Sequence, residues 1–186
     1  MNKFRASYSI LDTWRRGDYE RAVKMYFKLE TFDSEAMQQG RDYHQKWQEE
    51  VEKTKKLPAV FGGKKLTAPK TELKLVAQIY DWLEFVGVID CYDKPTFYEY
   101  KTGVSESQNY INSYQIGMYG LLLTYTDKYV DSCEIYHYNQ YNNKVDMSKV
   151  YITDKLIQDS LNFLITTSVE MHDYLLSNNL YERLSK

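Results

Sequence analysis

The sequence is short of the residues that most often carry chemistry. Its 186 residues include two cysteines, three prolines, eight glycines and three histidines. Cys91 and Cys133 form no CxxC pair, so they cannot build a four-cysteine zinc site or an iron–sulfur cluster, and reduced thiols are expected. No apolar run approaches the roughly 18 residues that a membrane helix needs. The opening MNKFRASYSILDTW lacks the continuous apolar core of a secretory signal. A soluble cytoplasmic protein is therefore expected (host cytoplasm, were the gene carried by a phage), with no membrane partner. Neither sign of charge is in excess: 24 Lys and Arg against 26 Asp and Glu leave a net of −2. A polyanion would have to be held by a local basic patch.

Several catalytic signatures are missing as well. FGGKKLT is no phosphate-binding loop, because position 58 is proline and leucine follows Lys65. There is no HExxH and no GxSxG, and the Lys-Thr-Gly at 101–103 has no Ser-x-x-Lys to supply a nucleophile.

What is present suits one globular domain over 1–186, with 43% hydrophobic and 27% charged residues. Nineteen tyrosines offer rings that pack and hydroxyls that reach phosphate, base or backbone. The expected organisation is a helical part over about 9–56, a basic loop over about 53–71, a core over about 72–152 and a C-terminal helix over about 154–183. Ser9, three residues before Asp12, reads as an N-cap, and Gly17 divides the first helical stretch. Met37, Gly40, His44, Trp47 and Val51 recur at helical spacing between Ser34 and Lys55. The loop KLPAVFGGKKLTAPK and its flanks hold Lys53, Lys55, Lys56, Lys64, Lys65 and Lys70. Three strands follow at 72–80, 83–92 and 96–102, then a helix in NYINSYQIGMYGLLLTYT, then strand character around a turn at YNNK. The pattern predicts an α/β fold with a mixed sheet of four to five strands flanked by helices.

The segment GVIDCYDKPTFYEYKTG carries the chemistry. A turn centred between Lys94 and Pro95 sets Asp90 opposite Glu99, with Cβ atoms roughly 4.5–5.5 Å apart. Lys101, two residues on, points to the same face as Glu99. Two adjacent carboxylates repel unless a cation sits between them. Lysine would serve as a structural ion-pair cluster; a divalent ion would serve as a hydrolytic centre, with the lysine beside the attacking water.

The wider context resembles the PD-(D/E)XK nuclease superfamily in its RecB-like branch, with a restriction-endonuclease-like core. Gly-x-x-Asp (Gly87 to Asp90) precedes acid-x-Lys-Thr-Gly (Glu99 to Gly103), QIGMY supplies Gln-x-x-x-Tyr, GRDYH supplies Gly-x-x-x-His, and SYSILDTW resembles the Ser-x-Ser-x-Leu start of these domains. The resemblance implies Mg2+ or Mn2+ held by Asp90, Glu99 and the Tyr100 carbonyl, with His44 at the edge as ligand or phosphate contact. It implies that Lys101 positions and activates water, and that Gln115 and Tyr119 order the site and a DNA strand. Glu72 matches only loosely an acid that precedes the core strands.

Members with an iron–sulfur cluster carry four cysteines, which this chain does not, and no helicase motif is present. The match is thus to stand-alone, phage-type exonucleases acting on linear or single-stranded DNA ends in recombination, repair or phage DNA processing. Arg15, Arg16, Lys64 and Lys65 are candidate phosphate contacts, joined by Arg21, and Tyr8 is a candidate base-stacking ring. Each has a plainer reading: a core histidine at His44, a packing glycine at Gly40, a core tyrosine at Tyr119, a solvated lysine loop. A non-catalytic nucleic-acid-binding or accessory subunit with the same fold is the alternative, and a small structural protein with internal ion pairs is a third reading.

Overall fold

β-Branched and aromatic residues concentrate in the middle of the chain, and there the long strands form. The computed structural model describes residues 3–30, 34–104, 106–111 and 113–184. β1 (Phe4–Ala6) leads into α1 (Tyr8–Arg15), α2 (Tyr19–Phe27) and α3 (Glu35–Thr54). β2 (Lys70–Tyr80), β3 (Leu83–Asp93) and β4 (Thr96–Thr102) then form an antiparallel meander. After α4 (Gln108–Ile111) and α5 (Tyr114–Tyr125), β5 (Ser132–Asn139) pairs parallel to β4 and β6 (Lys144–Tyr151) antiparallel to β5. α6 (Asp154–Ser177) and α7 (Leu180–Leu184) follow. The architecture is the expected α/β one, but the mixed sheet has six strands. The extra strand is β1, too short at three residues to leave a pattern in the sequence.

The pairing of β3 shapes the sheet. Its start pairs with both β1 (Phe4 with Leu83 to Ala6 with Phe85) and β2. Its end pairs with both β2 and β4. Since β2 takes one edge throughout, β1 and β4 share the other edge at opposite ends. Between them, residues 86–90 have no strand partner on that edge.

The two sheet faces carry separate cores. On one, α5 packs against Phe97, Cys133 and Ile135 with α6 behind it. α5 is apolar almost all round because it lies between two layers. On the other, Trp47 and Val51 of α3 join Phe61, Tyr98, Tyr100 and Tyr136. Cys91 belongs to this second cluster and Cys133 to the first, so the sheet keeps the free thiols apart.

Helix ends differ from expectation in three places. Ser7, not Ser9, is the N-cap of α1, because the chain leaves β1 at Ala6 and Ser7 is still extended (φ −131°). The predicted 109–126 helix is two, α4 and α5, with Asn112 outside the described residues. The predicted C-terminal helix breaks before α7, where Asn179 takes a left-handed φ of 55°. Gly17 (φ 85°) does separate α1 from α2, and the Ser34 side chain caps α3 by accepting from the Met37 amide. Among the described residues no helix is long and apolar enough to cross a membrane.

The α5–α6 contact depends on Gly117. A Cβ there would overlap Ser160 Oγ and come within 3.0 Å of the Leu156 carbonyl. Gly117→Ala should therefore destabilise the protein by about 1–3 kcal/mol from overpacking, although alanine favours a helix by about 1 kcal/mol. Denaturant midpoints test this, and Ser160→Gly in the same chain should restore part of the loss.

Candidate active site

β3 and β4 part company where the chemistry lies. Their ladder runs Asp93–Thr96, Tyr92–Phe97, Cys91–Tyr98 and then stops. That register does set Asp90 level with Glu99, as the turn at Lys94-Pro95 predicts, but the two are not a paired rung. The strands have opened, and Asp90 Oδ2 instead accepts the Tyr100 backbone amide at 2.7 Å. The other oxygen, Oδ1, lies 3.3 Å from His44 Nδ1. α3 delivers that histidine from the stripe that buries Trp47 and Val51. One turn earlier, Gly40 lets α3 approach β4: its Cβ would stand 3.1 Å from Thr102 Oγ1. Gly40 is thus a packing glycine.

Glu99 and Lys101 face α5. Lys101 Nζ donates to Glu99 Oε1 at 2.7 Å and to Gln115 Oε1 at 3.0 Å. Gln115 Nε2 donates to the same Glu99 oxygen at 2.9 Å and lies 3.2 Å from the Tyr119 hydroxyl. The four-residue spacing of Gln115 and Tyr119 puts both on one face of α5. Opposite them is the gap in β3: a Cβ on Gly87 would stand 2.9 Å from Leu122 and 3.1 Å from the Tyr119 ring. The first glycine of the Gly-x-x-Asp pattern is what admits Tyr119.

The charges are held under tension. Glu99 is 3% exposed. Burial first, and the Asp90 charge second, raise its pKa well above the usual carboxylate range against the pull of Lys101. Burial opposes the charge on Lys101, but Glu99 and Asp90 outweigh it and hold the amine protonated. Burial likewise opposes charge on His44, and its hydrogen bond to Asp90 overcomes this and raises its pKa. Glu72 stands level with Asp90 across β2, between the Thr71–Cys91 and Leu73–Ile89 pairs, with φ 45°. Burial, then Asp90, raises its pKa too. Both donors that reach Glu99 use Oε1, and Oε2 is buried without a partner.

That unpartnered oxygen tests the fit of a metal. A carboxyl group buried beside a second one, with one oxygen unserved, suits a hard divalent cation that takes oxygen ligands. Asp90, Glu99 and a backbone carbonyl such as that of Tyr100 make such a donor set. Among the described residues no three His, Cys, Asp or Glu side chains converge closely enough to hold an ion unaided.

The remaining candidates are spread around this centre. Asp90, His44, Lys101 and Glu72 line a cleft of about 1010 Å3, whose α3 wall adds Glu49 and Glu52. Lys64 and Lys65 are not on it. Lys64 pairs with Glu134 on β5 at 3.1 Å, and exposed Lys65 bridges to Lys56. Arg15 and Arg16 both bind Asp12, at 2.8 and 2.7 Å, with their side chains still 49% and 68% exposed. A second groove of about 390 Å3 adjoins Gln115 and Tyr119, and there the basic residues are Arg5 and Lys74, beside Tyr8. Sequence reasoning missed both. Arg5 lies on the unrecognised strand β1, and Lys74 is one lysine among many in the sequence.

No family model and no curated protein matches the sequence. Solved structures do match. The chain is similar to an alkaline exonuclease from Laribacter hongkongensis, at 10% identity over 96% of this chain and 93% of that one, with a TM-score of 0.60. It is similar to a protein from Eubacterium rectale assigned as an exonuclease, at 12% identity over 96% and 83%, with a TM-score of 0.65. A phage related exonuclease from Haemophilus somnus matches at 11% identity over 88% and 82%, with a TM-score of 0.51. At these identities the likeness is one of fold. The fold is the one these exonucleases share.

Substituting one carboxylate should relieve the tension. Asp90→Asn keeps an acceptor for the Tyr100 amide and removes the charge that Glu99 resists. In chelator it should be at least as stable as the wild type, because the repulsion relieved at Glu99 offsets the attraction lost at His44 and Lys101. Thermal unfolding in chelator measures this.

Proposed function

We propose that the protein is a metal-dependent nuclease that hydrolyses phosphodiester bonds of DNA, acting as an exonuclease on linear or single-stranded ends. The observation that carries the proposal is the buried, half-served carboxylate of Glu99, set beside Asp90 and next to a protonated lysine. The internal ion pair with Lys101 serves only Oε1 and leaves the second oxygen for another cation, and a binding role does not require this combination. The fold shared with exonucleases supports the reading. So does the Laribacter enzyme's structure in complex with dAMP, which is 12% identical with a TM-score of 0.59.

Asp90, Glu99 and the Tyr100 carbonyl would hold Mg2+ or Mn2+, with His44 at the edge orienting Asp90. The bound ion would supply a Lewis acid and neutralise charge at phosphorus. Lys101, held beside Glu99 at 2.7 Å, would orient the attacking water and face the charge that develops on the phosphate oxygens. Gln115 bonds to both Lys101 and Glu99, and Tyr119 in turn bonds to Gln115. A DNA strand would approach along the groove with Arg5 and Lys74, because that groove adjoins Gln115 and Tyr119 and is lined by basic side chains and no acidic ones.

With Mg2+ or Mn2+, the protein should degrade linear DNA, and chelator should stop it. Asp90→Ala and Lys101→Ala should each lower kcat by at least about 100-fold, the scale of losing one catalytic group. Full activity in Lys101→Ala would overturn the mechanism. Absence of cleavage of any DNA or RNA by clean wild-type protein would favour a binding subunit. Circular and linear, single- and double-stranded substrates in one assay separate exonuclease from endonuclease.

The electrostatic route has its own check. Lys74→Ala should weaken DNA binding and lower the slope of log K against log salt by about 0.7–0.9. Lys65→Ala should leave both unchanged.

A further inference from the structure

Lys101 has a third neighbour that neither the motifs nor the metal site accounts for. Its Nζ lies 5.4 Å from the centre of the Tyr110 ring, within the range of a cation–π contact. Tyr110 sits on α4, a single turn that has no helical strength of its own. Its position must be imposed by something else.

The imposing structure lies one and two strands away. His137 on β5 is the register partner of Lys101, so it stands on the same sheet face. The Tyr110 ring stacks over the His137 ring at 6.4 Å and 28°. His137 Nδ1 is 3.1 Å from Asp146 Oδ1 on β6. Asp146 Oδ2 accepts the backbone amide of Ser107 at 2.6 Å, just ahead of α4, and Ser107 Oγ is 2.6 Å from Ser148 Oγ. Ser107 and His137 are each 1% exposed. The chain is therefore pinned to β6 immediately before α4, and the Tyr110 ring rests on a histidine that the same aspartate fixes.

We propose that Tyr110 is a positioning residue for Lys101, and that the Asp146 clamp sets it in place. Among the described residues the Lys101 ammonium finds its acceptors on Glu99 and Gln115, and Tyr110 closes a further side of it with a ring face. The proposal rests on the nuclease reading for its effect on rate, but the geometry itself can be tested without it. It is the ring, and not the hydroxyl, that matters.

Two readouts test it with the full chain. The first is steady-state cleavage of linear DNA. Tyr110→Leu should lower kcat about tenfold, within the 2- to 30-fold that a cation–π contact amounts to, with KM unchanged. Tyr110→Phe should stay near the wild type, and Asp146→Ala should lie between. The second is competitive acetylation of Lys101 against Lys155, whose side chain is 84% exposed and serves as internal reference. Relative labelling of Lys101 should rise several-fold in Tyr110→Leu and not in Tyr110→Phe. Wild-type labelling in Tyr110→Leu would overturn the proposal, as would a Tyr110→Phe protein impaired as much as Tyr110→Leu. Unchanged labelling in Asp146→Ala would overturn the clamp. An inactive wild-type protein would sink the nuclease reading alone, because the labelling arm still reports on Tyr110.

Discussion

One edge of β3 has to serve two strands, and the site follows from that division. β1 takes the first three residues of the edge and β4 the last three. The five between have backbone that no strand covers on that side, and α5 fills the space with Tyr119 and Leu122 against Gly87. With full pairing, Asp90 and Glu99 would form a cross-strand rung and their charges would be spaced by the ladder. Opening the strands lets Asp90 turn onto the Tyr100 amide and leaves Glu99 to α5. Each carboxylate is thus oriented by a different layer, Asp90 by α3 and Glu99 by α5. The gap between them is where their fields meet.

The two cores give that gap fixed walls. Tyr100 lies between Glu99 and Lys101 but points the other way, stacked on Phe61 at 5.2 Å and edge-on to Trp47 at 5.7 Å. Alternation along a strand means that anchoring Tyr100 also sets the directions of its two neighbours. His44 follows Trp47 in the same way, since both belong to one stripe of α3. The aromatic cluster thereby decides where Glu99, Lys101 and His44 can be. An apolar layer of this kind also excludes water, which strengthens every charge interaction beside it.

Much of this was legible in the sequence, and the misses have physical causes. The hairpin register came from the turn alone, because a two-residue turn leaves no freedom in the pairing. The α3 stripe came from helical periodicity, and the Gln115–Tyr119 pair from its resemblance to a Gln-x-x-x-Tyr motif. What failed was whatever depended on non-local contacts. β1 is a strand only because β3 offers it an edge, and three residues carry no period. The lysines of the basic loop cluster in the chain, but nothing local showed that Lys64 pairs with Glu134, 70 residues away. Arg5 and Lys74 reach one groove from two separate strands, so no window of sequence holds both. The opening of β3 from β4 has no local signature either. It goes with the division of one edge of β3 between β1 and β4.

Glu99 is the place where fold stability and chemistry disagree most. A burial so complete, beside another acid, is unfavourable for an isolated fold. Gln115 could have spread its donors over both oxygens; instead its amide and the Lys101 ammonium converge on Oε1. Convergence costs stability, since the second oxygen goes without a partner. It also leaves that oxygen clear of protein donors, so a hard cation would not have to displace any. Sites that bind ions through buried carboxylates face this choice generally, because a carboxylate fully satisfied by protein has little left to offer a metal. Here the choice is visible atom by atom: one oxygen is given to the lysine and glutamine that orient the strand, and the other is kept free of them.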